Sequence, residues 1–405
     1  MMNSPAKRSG YAAAILFLLI LPVVANAAPR FVITPKVAGS WVYDSNFFAA
    51  EENGREIATY LIQPGIDLGI ETPKSSLILN YTLDATYYDD LESVPPGENP
   101  ADDDNFLGHT FSLETRHQAF DRLLVGLDDT FYKSREPSYS DALSNAVDRD
   151  LYYINRLTPL AVYEFGPKFS VAGRYQYTVI DFDPSEREDS YEHRGILDLV
   201  YSFTPRTSLD LEYQYWEQFY DESSDYTANQ AKLILRRQFR LFTFSVGAGY
   251  QNREFDDPGL DDIDVFTYNL NITGEGLLAN RKSYVGFNAE QNFNDYGPED
   301  EYFVATRLTL RAGHAFTRKL SGDLEGFYQR SDYERTEGLT SSGDLETRKD
   351  DTYIYSGTLS YALSRWLTLS GTAGYEDRRS NLAGFDYVNR FGILKLAFAY
   401  HVGRD

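Results

Sequence analysis

Apolar and polar residues alternate along Thr207-Ser208-Leu209-Asp210-Leu211-Glu212-Tyr213-Gln214-Tyr215. The same period of two recurs at residues 76–85 and at residues 367–376. Successive side chains of a β-strand point to opposite faces, so each segment has one apolar and one polar face. Helical spacing is nowhere sustained. The three segments therefore predict strands of a sheet that separates an apolar environment from a polar one.

Turn residues divide the chain into about 18 such segments, each close to the length that a tilted membrane-spanning strand requires. We place them at 31–43, 58–70, 76–88, 107–118, 123–135, 150–163, 169–180, 191–203, 207–219, 227–239, 242–255, 265–277, 283–293, 302–315, 320–333, 352–363, 367–378 and 387–402. Sixteen strands is the alternative if a weak early segment does not span. The pattern predicts an all-β fold: a single transmembrane antiparallel up-and-down β-barrel.

Connections between these segments alternate between short and long. Each of the eight short ones carries a Lys or Arg, at Lys74, Arg122, Lys168, Arg206, Arg240, Arg281-Lys282, Arg318-Lys319 and Arg365. The long ones are acidic, as at Asp102-Asp103-Asp104 and in the stretch from Asp256 to Asp264. Short periplasmic turns opposite long extracellular loops are typical of outer-membrane barrels. We expect the basic turns to lie beside phospholipid head groups, and the acidic loops to meet lipopolysaccharide through divalent cations.

The N-terminus predicts export. Lys7 and Arg8 precede an apolar run from Tyr11 to Val24, and Ala25-Asn26-Ala27 supplies a small-x-small cleavage site. This is the order of a secretory signal, and the apolar run is shorter than the about 20 residues of a spanning helix. We therefore predict a signal peptide at residues 1–28, a single β-barrel domain at residues 29–405, and localisation in the outer membrane of a Gram-negative bacterium.

The amino-acid composition agrees with a β-barrel and excludes several other classes of protein. The chain has no cysteine, 15% aromatic residues and a formal net charge of −23, and its mean hydropathy is −0.44. A helical membrane protein is excluded because no second long apolar run exists. Nucleic acid is an unsuitable partner because its recognition needs clustered cations. A barrel stays polar on average since only half of each strand faces lipid.

Aromatic residues cluster where strands meet the long connections. We expect these residues to face outward as an interfacial girdle, as barrels carry at both membrane surfaces. They are Tyr87-Tyr88, Phe131-Tyr132, Phe219-Tyr220, Tyr302-Phe303, Tyr353 and Tyr355. The last segment alternates through Leu394, Leu396, Phe398, Tyr400 and Val402, like the signal read by the barrel assembly machinery, although a short polar tail ending in Asp405 follows it.

The polar faces of the predicted strands supply candidates for a lumen wall. Eleven are singled out: Asp84, Glu114, Arg116, Arg174, Asp210, Glu212, Arg236, Arg307, Arg311, Asp323 and Glu325. A barrel of about 16–18 strands is wide enough for an aqueous channel. Pairing of these charges across a hydrated lumen is favoured over a dedicated substrate track. Alternatively, Arg307 and Arg311 on one strand with Asp323 and Glu325 on the next create a transverse field at a constriction.

No catalytic or cofactor motif is recognisable. The five histidines, His109, His117, His193, His314 and His401, lack metal-ligand spacing, and no Ser/His or Asp/His signature of the known barrel phospholipases or proteases is evident. We predict no enzyme, no cofactor and no metal site. Calcium binding by Asp102-Asp103-Asp104 or by residues 256–264 is the alternative to solvated acidic loops, but the latter stretch does not follow the EF-hand pattern.

The first predicted hairpin carries Val42-Tyr43-Asp44-Ser45-Asn46-Phe47-Phe48, followed by Gln63-Pro64-Gly65-Ile66-Asp67-Leu68 and by a Tyr-rich third segment, residues 81–88. These motifs resemble the "Putative beta-barrel porin 2" group, which is similar to outer-membrane barrels encoded with exopolysaccharide systems (EpsL-like). In that group a Tyr-Asp-(Asp/Ser)-Asn-aromatic segment is likewise followed by a Pro-Gly-containing second strand. The resemblance implies an outer-membrane location more clearly than it implies a substrate.

Two functions follow from these observations. The first is a porin-like passive conduit that serves exopolysaccharide secretion or passage of small hydrophilic solutes. The second is a non-conducting scaffold or surface-binding barrel whose acidic loops hold cations or partners. Expected partners are outer-membrane lipid, lipopolysaccharide, polysaccharide or small polar solutes, and the barrel assembly machinery. No strand face is distinctive enough to assign an oligomer interface.

Overall fold

Eighteen antiparallel strands form one sheet in the computed structural model, which describes residues 29–135, 149–183, 188–276, 282–294, 302–340 and 342–402. The predicted signal peptide, residues 1–28, lies outside these ranges. The strands are β1 Arg30–Asp44, β2 Ile57–Glu71, β3 Ser75–Asp90, β4 Phe106–Phe120, β5 Leu123–Ser134, β6 Leu151–Glu164, β7 Phe169–Asp183, β8 Ser190–Thr204, β9 Thr207–Tyr220, β10 Tyr226–Gln238, β11 Phe242–Phe255, β12 Ile263–Glu275, β13 Ser283–Asn294, β14 Phe303–Ala315, β15 Leu320–Leu339, β16 Leu345–Ala362, β17 Leu367–Ser380 and β18 Tyr387–Ala399. The described helical structure is a 3₁₀ turn at Ala101–Asp104.

Each strand pairs with its neighbours in sequence, and β1 also pairs with β18, so the sheet closes into a barrel. Closure removes the open edges that would otherwise leave backbone amides unpaired in lipid. The predicted up-and-down barrel of 18 strands is confirmed. No described helix is long and apolar enough to cross a membrane.

The side chains on the two faces of the sheet differ in exposure and polarity, as the alternation of apolar and polar residues along each strand predicts. On β9, Leu211, Tyr213 and Tyr215 are exposed, whereas Asp210 and Trp216 on the other face are each 2% exposed. Cross-strand partners share a face, and the register therefore carries this assignment from strand to strand around the barrel. The face with exposed leucine and aromatic side chains is the lipid-facing surface, and the opposite face lines the lumen.

The hairpin β15–β16 is longer than the sequence predicted. We placed its strands at 320–333 and 352–363 with a loop at 334–351, but β15 continues to Leu339 and β16 begins at Leu345. The pairing shifts register between Asp332 and Glu337. Polar residues occupy both faces of this extension, so it lacks the alternation that identified the membrane-spanning parts.

The predicted extracellular girdle is partly wrong. Tyr87 is 51% exposed on the outward face, but its neighbour Tyr88 is 3% exposed and packs inward against Phe47. Phe303 is likewise buried on the inward face. Adjacent strand residues must face opposite ways, so only one member of each predicted pair can belong to an outward girdle.

A second set of exposed aromatic residues lies at the periplasmic ends beside the basic turns. It comprises Phe120, Phe165, Phe203, Phe239, Phe242, Phe316 and Trp366. Rings at this level are typical of a membrane–water interface. These residues precede or follow turn cations such as Arg122 and Arg206, a pattern that was visible in the sequence and was missed.

The Tyr-Asp-Ser-Asn motif forms hydrogen bonds across the closing seam, which is the pairing of β1 with β18 that closes the barrel. The backbone N–H of Asn46 donates to Asn389 Oδ1 (3.1 Å), and Asn46 Nδ2 donates to the carbonyl oxygens of Ala50 (2.7 Å) and Val388 (3.2 Å). Asn389 Nδ2 in turn donates to Asp44 Oδ1 (3.0 Å). Asn46 is buried, so these hydrogen bonds are shielded from water. The motif therefore fastens the first extracellular loop to the last strand.

Candidate functional site: the charged lumen

All eleven residues predicted for the lumen wall lie on the inward face of the sheet, as the strand registers place them. Nine of them lie within about six residues of the periplasmic end of their strands, while Asp84 and Arg307 lie higher. A strand rises about 3.3 Å per residue and tilts by 35–45° in a barrel. The lower nine therefore form a belt around the periplasmic half of the lumen. Any action of these residues on a solute stays a prediction.

The belt begins on β4 and β5 with an ion pair between neighbouring strands. Arg116 Nη1 donates to Asp128 Oδ1 (2.5 Å) and Arg116 Nη2 donates to Asp128 Oδ2 (3.0 Å). Glu114 is 3.5 Å from the same guanidinium. A bidentate pair fixes the orientation of the arginine, so its charge is held against the wall.

Four consecutive strands, β7 to β10, carry the densest part of the belt. Arg174 Nη2 lies 2.8 Å from Asp198 Oδ2 and 3.4 Å from Glu212 Oε2. Arg236 Nη1 lies 2.5 Å from Asp210 Oδ2. Asp198 and Glu212 are direct cross-strand partners, and like charges in that position repel. Arg174 bridges the two carboxylates and offsets this repulsion.

On β14 and β15 the structure contradicts the predicted transverse field. Arg311 and Glu325 are directly opposite in the register, and Arg311 Nε donates to Glu325 Oε2 at 2.6 Å. Arg307 Nε donates to Gln329 Oε1 (2.7 Å), and Asp323 accepts from the Tyr284 hydroxyl (2.7 Å). Adjacent strands stand side by side in the wall, so the paired charges of Arg311 and Glu325 lie along it and do not face each other across the lumen.

Several ion pairs of the wall were not predicted from the sequence, and the pair between β1 and β2 is one of them. Lys36 Nζ lies 2.5 Å from Asp67 Oδ1, between β1 and β2. Lys36 alternates with the exposed Ile33 and Val37, so the period of two was a sufficient signal. Asp84, higher on β3, accepts from Gln63 Nε2 (2.7 Å) and from the Thr110 hydroxyl (3.2 Å).

Several belt side chains remain open to solvent despite these pairs. The side chains of Arg311, Glu114 and Arg236 are 61%, 53% and 47% exposed. Ionised groups need water or paired partners, and an exposed fraction this large on the inward face indicates a hydrated lumen. The pairs run along the wall between neighbouring strands.

Loops and strand ends pack inward at the extracellular end of the described barrel. Phe47, Ile57, Tyr88 and Ala101 form one buried cluster, and Trp216, Tyr226 and Ala228 form another. Arg348 stacks on Phe385 (3.8 Å from the ring centroid) at a third place. Apolar and cation–π contacts of this kind hold extracellular segments against the wall.

Each of the five histidines bonds through Nδ1 to a hydroxyl of a nearby segment. The pairs are Thr34–His401, Ser75–His117, Tyr81–His109, Tyr175–His193 and Ser283–His314, at 2.5–2.9 Å. In the described chain neither His117 nor His314 has a carboxylate partner that would orient it beside its serine. The five contacts join strands or strand ends that are neighbours in the barrel.

The described residues contain no group of three or more His, Asp or Glu side chains arranged to hold a metal ion. In the first acidic loop, Asp104 lies 3.0 Å from Arg135, so one of the three aspartates that we considered for calcium is paired with a cation.

The barrel is similar in fold to solved structures from other bacteria, among them an outer-membrane protein of Pseudomonas aeruginosa, OpdK, which is 12% identical with a TM-score of 0.46 over 91% of this chain and 99% of that one. Pseudomonas aeruginosa OccK2 (OpdF), solved in complex with glucuronate, is 8% identical with a TM-score of 0.51, over 92% of this chain and 98% of that one. Acinetobacter baumannii OccAB4 is 11% identical with a TM-score of 0.48, over 93% and 99%. No curated protein sequence matches the chain. The fold defines the protein as an outer-membrane β-barrel.

The family comparison narrows this class. The model of the family "Putative beta-barrel porin 2" matches residues 240–400. The predicted resemblance to this family is thereby confirmed, whereas its EpsL-like part is not supported by the match. The motifs that suggested the resemblance, residues 42–88, lie outside the matched range. The chain is a porin-like β-barrel of the outer membrane.

Proposed function

We propose that the protein is a passive conduit for small hydrophilic solutes across the outer membrane. The observation that carries this proposal is the belt of charged, solvent-exposed side chains on the inward face, with Arg311, Glu114 and Arg236 the most open. A lumen filled with packed side chains would bury these groups at a cost of several kcal/mol each. A barrel of 18 strands has the width for water and solute to pass.

The solute size is set at the extracellular mouth. Side chains around Phe47, Trp216 and Phe385 pack inward at that end, whereas the belt below it carries charged side chains that are open to solvent. Small polar molecules suit such a passage because contacts with the charged wall replace the hydration water that they lose, at little cost in free energy.

Exopolysaccharide secretion is the finer function that the sequence resemblance suggested, and the same conduit accommodates it. Its support is the resemblance alone. An extended sugar chain in this lumen would contact ion pairs such as Arg174–Asp198. It would not stack on the aromatic rings of Trp216 and Tyr226, because these rings are buried in the wall. Liposome swelling with saccharides of increasing length separates this function from passage of small solutes.

Single-channel recording of the purified barrel in planar bilayers is expected to show steady conductance that rises with salt concentration. A tryptophan at the inward position Thr372 narrows the wet lumen and should lower that conductance, while one at the outward neighbour Ala373 should not. Comparison of the two tryptophan variants also excludes a contaminating channel as the source of the conductance, because neither substitution would change the conductance of a contaminant. Silence across salts and voltages would instead establish the non-conducting scaffold.

A further inference from the structure

Asp129 places a carboxylate on the lipid-facing surface near the middle of the membrane. The register carries the outward face of β9, at Glu217, across β8 to Tyr177 on β7. From Tyr177 it continues through Leu157 to Asp129. Asp129 lies six residues after Leu123, the periplasmic start of β5. With a rise of about 3.3 Å per residue and a tilt of about 35–45°, this is about 15 Å above the strand end. The apolar band of such barrels is about 25 Å tall.

The depth of Asp129 sets it apart from the other charged residues of this surface. On the described strands, every other outward Asp, Glu, Lys or Arg lies nine or more residues above the periplasmic end of its strand, or directly beside that end like Arg237. An ionisable side chain at mid-membrane depth is costly against hydrocarbon and commonly marks a functional contact. The surface around Asp129 therefore suits contact with another polar surface better than contact with lipid chains.

Asp129 and its neighbour Asn155 on β6 present acceptors that lack donors. Asn155 Nδ2 donates to Asp129 Oδ1 (2.9 Å) and to the carbonyl oxygen of Thr130 (3.1 Å). These two bonds use both hydrogens of the Asn155 amide. Within the described chain, Asp129 Oδ2 and Asn155 Oδ1 accept no hydrogen bond. Lipid chains cannot supply a donor, so the donor must come from another molecule.

The same surface carries a matching donor on β7. Leu157 is the register partner of both Asp129 and Tyr177, so these two residues stand on either side of it, two strands apart. The Tyr177 hydroxyl makes no hydrogen bond in the part of the chain that the structure describes. The Tyr213 hydroxyl, on β9, instead donates to Asn229 (2.6 Å). An acceptor and a donor on either side of one residue are self-complementary, as a two-fold interface requires.

Short side chains beside Leu157 permit close approach. A groove of about 610 Å³ adjoins Pro159, Ala161 and Gly173 on this surface. A Cβ added at Gly173 would meet no atom within 4 Å, so the surface is open above it. Small residues have this role at contacts between membrane-spanning helices, where they let two backbones approach. The groove therefore leaves room for side chains of an opposing barrel.

We propose that the lipid-facing surface of β5–β7 is the contact between two copies of this chain, related by a two-fold axis that passes through Leu157 along the membrane normal. Asp129 of each copy accepts a hydrogen bond from the Tyr177 hydroxyl of the other. Strand tilt places the Cα atoms of Asp129 and Tyr177 about 6 Å apart in height, a difference that the long tyrosine side chain spans. The contact is independent of conduction through the lumen.

Sedimentation equilibrium of the full barrel in density-matched detergent measures its mass and dissociation constant. We expect two copies for the unmodified protein. Asp129→Leu and Tyr177→Phe should each weaken association about tenfold, because each removes both symmetric hydrogen bonds. Asp129→Asn keeps an acceptor and should keep the dimer. Tyr213→Phe is the matched control, since the hydroxyl that it removes donates within its own chain. Asp129→Leu places an apolar side chain against hydrocarbon, so the barrel itself should stay folded.

Disulfide formation in the outer membrane distinguishes a second copy from any other partner. The chain has no cysteine, so Leu157→Cys, on the proposed axis, should form a linked dimer of twice the chain mass under mild oxidation. Ala373→Cys is the control, because it faces lipid six residues after Leu367, the periplasmic start of β17, and should remain monomeric. The proposal is overturned by a mass other than two copies, by equal association of Asp129→Leu and Tyr213→Phe, or by linkage of Leu157→Cys to a different protein. Equal dimer yields from the two cysteine variants would overturn it as well.

Discussion

Replacing Asp350 with alanine is expected to lower the free energy of unfolding by about 3–5 kcal/mol. Asp350 is fully buried at the extracellular end of the wall, where its Oδ2 lies 2.9 Å from Arg348 Nη2 and 2.5 Å from Arg378 Nη2. Both guanidinium groups are themselves buried. Removal of the carboxylate leaves two cations side by side without their shared counter-charge, and they then repel each other.

Urea unfolding of the barrel in lipid vesicles measures this loss. Asp332→Ala is the control, because Asp332 pairs with Arg330 at 3.1 Å on the outer face of β15, near its extracellular end, with both side chains well exposed to solvent. Exposed pairs contribute at most about 1 kcal/mol. Equal effects of the two substitutions would show that burial of the Arg348–Asp350–Arg378 cluster adds nothing to stability.

Neutralising three carboxylates of the β7–β10 wall should reduce the permeability of the channel to cations relative to anions by about fourfold or more. The variant is Asp198→Asn, Asp210→Asn and Glu212→Gln. Arg174 and Arg236 then remain without the acids that they now contact. A monovalent ion about 5 Å from one wall charge gains or loses about 0.8 kcal/mol in water, and salt reduces this value.

Reversal potentials across a salt gradient give the permeability ratio. A loop variant, Asp256→Asn, Asp257→Asn and Asp262→Asn, removes the same formal charge from exposed positions between β11 and β12. We expect a smaller change in that variant because loop charges act over a longer, screened distance. A ratio unaffected by the wall substitutions would mean that permeating ions do not pass the belt.

The period of two was a reliable guide wherever one face of a strand meets lipid. It located all eighteen strands and put each of the eleven wall residues on the inward face, because a one-residue slip would bury polar side chains in hydrocarbon. The pattern failed beyond the membrane, in the extension of β15 and β16, where both faces meet water and no alternation is required.

The hydrogen-bond and ion-pair partners of the wall residues could not be predicted from the sequence. Arg311 and Glu325 are 14 residues apart, and their direct pairing depends on the register of one hairpin. Asn46 and Asn389 meet across the closing seam, at a separation of 343 residues, and only closure of the barrel brings them together.

Cysteine labelling along β17 tests most directly that a wet lumen lies behind a lipid-facing surface. The protein has no cysteine of its own, so single substitutions report without background. In the membrane-inserted barrel, a membrane-impermeant maleimide should label Ser370→Cys and Thr372→Cys, which face the lumen. It should leave Gly371→Cys and Ala373→Cys, which face lipid, unlabelled. Uniform labelling of the four, or labelling confined to 371 and 373, would contradict the account.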